Sequence, residues 1–478
     1  MQLKSWFKDK FNISLLLIVI IAAYIRLKYL FTDSLWPDEA LYGYFSTQLL
    51  NNPGFIFNQE FAVTVTYFPT IIITIFDILL DNVVAGKIVS FIFSLLGIVF
   101  VYLLGKELDN KLVGLIAAII LSFNHLHWFY SDRLLFDIHL TTMFTITAYF
   151  LVKYEKTKSI QNAVYLGLAS GLTFFTKLSG VLVFAFLATY FLLAYNLKIK
   201  SLLKRKDFWI LLGISSIFII YYIIVNLFVF DSPLTTPTES LVTSNRETAR
   251  FSVPFKNLIF LITWYTLPFA LLGIIISLIY RRKIDILLLS WFVGFFVLFV
   301  IIHPQTVDRY LLPILPLLAL FSGIAISELI IIINRLFNLK ITKWIGVGLI
   351  IILVMPSAIL GKNILDDRSL TYTGLQEAGL WIKENVPEKS TVYVTSVRAI
   401  RLFTNRESAY EEGKLYYLGK LSKQDFEKQI SEFEKPIYIE IDVWESYRPD
   451  WTIPITQDTI EYLLQLGFKP EKIIQADV

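Results

Sequence analysis

The 478-residue sequence has no cysteine, four histidines, three methionines and only 17% charged residues, against roughly 25% charged in an ordinary soluble domain. Without cysteine there is no disulfide, thiolate metal site, iron–sulfur cluster or cysteine nucleophile. Four histidines leave little for a histidine metal cage. A Gly-rich loop ending in Lys-Ser or Lys-Thr is also missing, which removes the usual nucleotide-hydrolysis motif. What is present is apolar: 56% hydrophobic residues, with 40 Phe, 25 Tyr and 10 Trp, and a mean hydropathy of +0.63. This balance excludes both an ordinary cytosolic enzyme and a disordered chain.

The average joins two unlike parts. Residues 361–478 carry 15 Lys+Arg and 20 Asp+Glu, whereas residues 1–360 carry 28 and 19. A membrane body of 1–360 is therefore followed by a soluble domain of 361–478. The basic residues lie between hydrophobic runs, so the net charge of +4 does not mark a nucleic-acid partner.

A membrane span needs about 20 mostly apolar residues. Eleven stretches are expected to cross: 13–31, 87–105, 112–130, 136–152, 162–176, 179–196, 208–228, 257–279, 285–302, 310–333 and 344–360. A twelfth, Tyr67 to Leu80, is short and holds Asp77, and reads as a re-entrant or interfacial helix within a first outer loop of 32–86. Cytoplasmic loops collect Lys and Arg. With residues 67–80 not crossing, Lys106/Lys111, Lys153/Lys156/Lys158, the cluster from Lys198 to Lys206, Arg281/Arg282/Lys283 and Arg335/Lys340/Lys343 all fall on the side of the N-terminal lysines. The expected topology is a multi-pass cell-membrane protein with the N-terminus cytoplasmic and the domain from 361 extracytoplasmic.

Four outer segments are more polar than loop solubility requires. In Trp36-Pro37-Asp38-Glu39, two carboxylates begin an aromatic helix pattern; acids after proline also suit a helix start, so a catalytic and a capping reading stand side by side. Ser131-Asp132-Arg133 through Asp137 places charge at a membrane edge, as an ion network or as a functional site. Lys177 is a lone cation in a turn, either snorkelling or binding. The fourth segment holds Asp308-Arg309-Tyr310, at an interface where Arg309 also serves as a simple anchor. Together, Arg133, Lys177 and Arg309 put three cations on the face that the positive-inside rule depletes. Arginine binds phosphate oxygens bidentately and lysine acts as a point charge. A carboxylate beside them is the minimal equipment for displacing a phosphate from a sugar carbon.

The order of these features resembles the GT-C membrane glycosyltransferases, especially protein O-mannosyltransferases and lipid A aminoarabinose transferases. The matching pieces are Arg26, Trp36 through Gly43, Ser131 through Asp137, Gly167 through Gly171 to Thr176-Lys177, and Arg309-Tyr310-Leu311-Leu312-Pro313 with Pro316. Two pieces depart from the pattern: Tyr67-Phe68-Pro69-Thr70 stands for a Pro-Pro-Leu segment, and Lys87 for an arginine. The resemblance implies a GT-C helical bundle and an inverting transfer of a sugar from a polyprenyl (dolichyl-type) phosphate to a protein, lipid or glycan acceptor on the outer face. It makes Asp38 the base or acceptor-activating acid, with Glu39 supporting it. Arg133, Lys177 and Arg309 hold the donor phosphate, and Asp132, Asp137, Lys87 and Tyr310 support the site. No cofactor is fixed; a divalent cation on Asp38 and Glu39 is the candidate. A secondary transporter and a non-catalytic scaffold for surface-glycan assembly are the competing readings. Internal repeats would mark the former and are not seen.

The Ser/Thr/Pro-rich loop of 229–256 reads either as a cover over the donor cavity or as a spacer. In the tail, a helix over 374–385, strands at 391–395 and 437–441, a helix over 458–466 and a short strand at Ile473-Ile474 form a small α/β domain. Binding of acceptor and capping of the membrane body are both open for it.

Overall fold

The computed structural model describes residues 9–229, 252–280, 282–297, 307–337, 342–406, 415–418, 421–433, 436–442 and 457–474. Uninterrupted apolar runs build the body as helices, and short polar residues start them. Asp9 accepts from the Phe11 amide, Asp81 from Val83 and Asn110 from Leu112 and Val113, each satisfying an amide left open in a first turn. The helices are α1 (Lys10–Leu27), α2 (Pro37–Asn51), α3 (Gln59–Thr64), α4 (Tyr67–Asp77), α5 (Asn82–Leu108), α6 (Lys111–Phe123), α7 (His125–Phe129), α8 (Asp137–Thr157), α9 (Ile160–Phe174), α10 (Leu182–Ala194), α11 (Ile199–Leu203) and α12 (Lys206–Val229). They continue as α13 (Ser252–Ile262), α14 (Leu267–Tyr280), α15 (Lys283–Phe292), α16 (Leu315–Phe337) and α17 (Thr342–Asp367).

All eleven stretches expected to cross are helical over their described residues, broken at a few turns. By length and hydropathy, five of the described helices qualify as spans, or up to seven if each bent pair counts once. The shortfall has two causes. Helix α8 buries Asp137, His139, Thr141, Thr142, Thr145 and Thr147 inside the protein, which lowers its hydropathy without exposing polar groups to lipid. Others are short or bent, as in α13 and α14, which meet at 103°. Helix α4 is the short apolar element expected in the first outer loop. Within the body, α5 packs on α6 and α8, α9 on α12 and α14 on α16. The α5–α6 crossing uses glycine on both sides: a Cβ on Gly105 would lie 2.5 Å from the Gly114 Cα.

Beyond α17, α18 (Thr373–Asn385), α19 (Val397–Thr404), α20 (Lys423–Glu432) and α21 (Gln457–Gln465) surround a three-stranded parallel sheet. Its strands are β1 (Thr391–Val394), β2 (Leu415–Tyr417) and β3 (Ile437–Glu440), in the order β2-β1-β3, with Val392 opposite both Leu415 and Tyr438. All four residues of β1 are buried, as a central parallel strand requires. Val392 and Val394 pack with Ile382, Val386, Ile400 and Leu415. Strand β2 and helices α19 and α20 have no counterpart in the sequence expectation. The expected strand at Ile473-Ile474 is corrected: both residues lie outside the sheet and Ile473 is 83% exposed. Two β-branched residues are too few to hold a sheet edge without a cross-strand partner. The Ser/Thr/Pro loop lies outside the described residues from 230 to 251.

Candidate active site

Pro37 opens α2 at its first position, and Asp38 and Glu39 occupy the first turn. Adjacent helix positions are rotated by about 100°, so the two carboxylates leave the helix in different directions. Each enters a different polar cluster.

Glu39 turns inward. One of its oxygens accepts from the Trp36 amide at 2.9 Å, half of a capping box, and the other accepts from the Leu134 amide at 2.6 Å. Around it, Asp33 pairs with Lys87 at 2.8 Å through one oxygen and with Arg133 through the other. Arg133 also lies 3.8 Å from both Glu39 and Asp132. Its guanidinium sits over the rings of Trp36, at 4.7 Å, and Phe129, at 4.9 Å, a cation–π arrangement. Lys87 gives a further hydrogen bond to the Asp33 carbonyl at 2.9 Å. All five charged groups are buried, Arg133 to 2% exposure. Burial pushes the Glu39 carboxyl above its ordinary range, with Arg133 acting against that shift and Asp33 adding to it.

Asp38 turns outward and keeps 44% of its side chain exposed. Its Oδ2 accepts from Arg309 at 3.1 Å and its Oδ1 from Arg398 at 2.5 Å. Arg309, only 14% exposed, follows Asp308, whose carboxylate accepts both the Arg309 amide and the Tyr130 hydroxyl. The Arg309 guanidinium stands over the Tyr310 ring at 5.4 Å, and Lys177 over the same ring at 4.9 Å. Lys177 pairs with Asp137 at 2.7 Å. Tyr42 packs its ring 4.5 Å from Phe136. Its hydroxyl lies within the field of Asp38, Asp137 and Arg309, and burial pushes it up from its ordinary range.

One segment separates the two clusters. Between Arg133 and Asp137 the chain turns through Phe136, a buried aromatic in the left-handed region at φ 61°, a conformation that costs a non-glycine residue about 1–3 kcal/mol. This turn sends Arg133 to the interior and Asp137 toward Lys177. The Lys177 turn is tight as well: a Cβ on Gly180 would meet the Thr173 carbonyl at 2.1 Å.

The structure thus brings Asp38, Lys177, Arg309, Asp137 and Tyr310 into one open cluster. Glu39, Lys87, Asp132 and Arg133 form another, closed over by the protein. Asp38 and Glu39 are engaged by different partners, Arg309 and Arg398 on the first and the Trp36 and Leu134 amides on the second. Among the described residues there is no group of three or more His, Asp or Glu arranged to hold a metal ion.

Two participants lie outside the sequence expectation. Asp33 stands in the first loop but has no motif around it. Arg398 comes from α19 of the C-terminal domain, 360 positions from Asp38; the alternation of Arg398 and Arg401 with Ala399, Ile400 and Phe403 marks an amphipathic helix without indicating where it docks.

A family model described as dolichyl-phosphate-mannose-protein mannosyltransferase matches residues 63–228, which include Lys87, Arg133 and Lys177 but neither Asp38 nor Arg309. No curated protein matches the sequence. Among solved structures, ArnT from Cupriavidus metallidurans bound to undecaprenyl phosphate aligns with a TM-score of 0.63 at 14% identity, covering 88% of this chain and 89% of ArnT. The archaeal oligosaccharyltransferase AglB from Archaeoglobus fulgidus, solved with an inhibitory peptide and a dolichol-phosphate, aligns with a TM-score of 0.60 at 15% identity. That alignment covers 84% of this chain and 64% of AglB. The chain therefore shares its fold with ArnT and AglB over most of its length.

Proposed function

We propose that the protein is an inverting glycosyltransferase that uses a polyprenyl-phosphate sugar as donor on the extracytoplasmic face. The observation that carries this reading is Asp38: an accessible carboxylate beside the guanidinium of Arg309, with Lys177 close by through their shared Tyr310 ring. The acceptor hydroxyl gives its proton to Asp38 as its oxygen attacks the anomeric carbon. The bond from that carbon to the phosphate oxygen breaks from the opposite side, and its electron pair stays on the phosphate. Arg309 and Lys177 take up the charge that grows there. The Arg309 Nε is buried and has no acceptor among the described residues, which suits a further anionic oxygen at that position. Arg133 contributes by fixing the wall of the site, since its charge is committed to Asp33 and its neighbours. A donor already activated by phosphate explains how transfer proceeds without a nucleotide-hydrolysis motif.

Asp38→Asn in membranes supplied with a panel of polyprenyl-phosphate sugars tests the assignment; unimpaired transfer by that variant overturns it. The orientation rests on the sorting of basic loops. A single cysteine placed in the C-terminal domain of this cysteine-free chain should react with an impermeant maleimide added from outside. Labelling only after lysis would reverse the orientation.

A further inference from the structure

The C-terminal domain is fastened to the first outer loop by contacts that do not involve Arg398. Ala399 and Phe403 of α19 pack with Leu35, Ala40 and Leu375. Arg401, one turn along, makes a bidentate pair with Glu60 at 3.0 and 3.1 Å, and its guanidinium lies 3.9 Å over the Tyr44 ring. Arg398 is therefore carried to Asp38 on an anchored helix, while 46% of its own side chain stays exposed.

The two arginines on Asp38 are not equivalent. Arg309 belongs to the membrane body and is nearly buried. Arg398 belongs to the outer domain and holds the other oxygen in solvent, where an ion pair contributes little and exchanges readily. An acceptor hydroxyl needs an Asp38 oxygen within about 2.6–3.2 Å, and Arg398 stands at one of the two. A carboxylate and a phosphate both accept a guanidinium fork in the same manner, so the arginine that leaves Asp38 has a natural destination in the donor.

We propose that Arg398 is a donor-binding residue supplied by the C-terminal domain. It rests on Asp38 while the site lacks donor, moves to the phosphate oxygens of the polyprenyl-phosphate sugar when donor arrives, and so uncovers Asp38 Oδ1 for the acceptor hydroxyl. The inference rests on the transferase reading given above and adds to it that the site spans both domains.

The test is direct binding of a short-chain polyprenyl phosphate, without sugar, to the full-length protein in detergent, compared among wild type, Arg398→Ala, Arg398→Gln and Arg398→Lys. The expected result is an affinity about tenfold lower for the alanine and glutamine variants, partly restored by lysine, whose point charge replaces the fork incompletely. Thermal melting stays unchanged, since the α19 anchor is intact. In turnover, the donor KM rises more than kcat falls. A phospholipid phosphate such as phosphatidylglycerol should not compete; competition at equal concentration would show a general headgroup site and overturn the donor assignment. Wild-type affinity in Arg398→Ala and Arg398→Gln would reduce the contact to a surface ion pair. Failure of wild type to bind polyprenyl phosphate would overturn the transferase reading itself, and this inference with it.

Discussion

The inner cluster of Asp33, Glu39, Lys87, Asp132 and Arg133 and the outer cluster of Asp38, Arg309, Arg398, Lys177 and Asp137 are built from the same kinds of charged residue, and Asp38 stands next to Glu39 in the chain. They differ in what surrounds them. In the inner cluster the charges are sealed, and their partners are other buried side chains and the backbone of the two loops that carry them. In the outer one, Asp38 and Arg398 keep nearly half of their surface. Charges removed from water hold only in close pairs, so the first arrangement fixes a shape. The second has capacity left for a substrate.

That contrast can be broken from either side. The largest effect on the fold is expected from Arg133→Ala, which removes the cation that Asp33, Glu39 and Asp132 share. Removing one partner of a buried pair costs about 3–5 kcal/mol, and the loss should appear as a lower melting temperature and lower membrane abundance. Asp38→Asn should do the reverse, lowering kcat by about 10²–10⁴, the range of a general base, while the melting temperature holds. If the two variants exchanged phenotypes, the division of labour between the clusters would be wrong. Arg309→Ala comes next: it should raise the donor KM by roughly ten- to a hundredfold, since a charge-assisted hydrogen bond is worth about 1.5–3 kcal/mol, and kinetics at varied donor concentration would show it.

A smaller effect lies away from both clusters. Glu440, at the end of β3, accepts from the Thr395 amide, and loss of water with Asp442 nearby pushes its carboxyl well above the ordinary range. A raised folded-state value means that the folded domain holds this proton after the unfolded chain has released it. Its contribution to stability is full at low pH and is lost as pH rises above the usual carboxylate range. Melting monitored over that range should show the slope, and Glu440→Gln should flatten it.

Much of the body was legible because membrane segments advertise themselves by composition. Over their described residues the eleven apolar stretches are helical, and the Tyr67 helix is short. Only the fold shows that the threonines and His139 of α8 face protein. The candidate site draws on Asp38, Lys177 and Arg309 of the sequence reading, whose types and edge positions are unusual for a face expected to be depleted of basic residues. Arg133 looked alike in sequence because its neighbour in space, Asp33, is a hundred positions distant. The reading of Asp38 as the acting acid with Glu39 supporting it treats the two as one pair, whereas the helix phase sends them to different clusters. Arg398 was beyond reach, since a docking contact between distant segments leaves no local pattern.

The left-handed turn at Phe136 has a consequence for how this segment tolerates change. Three successive residues and Asp137 are tied to other elements: the Arg133 carbonyl to Ser90, the Leu134 amide to Glu39, and the Leu135 carbonyl and the Asp137 carboxylate to Lys177. Leu134 fits so closely that a Cβ on Gly86 would lie 2.1 Å from it. The segment therefore works as a spacer of fixed count. Substituting one side chain disturbs one tie, but inserting or deleting a single residue shifts the phase of all of them and points the wrong charge at each cluster.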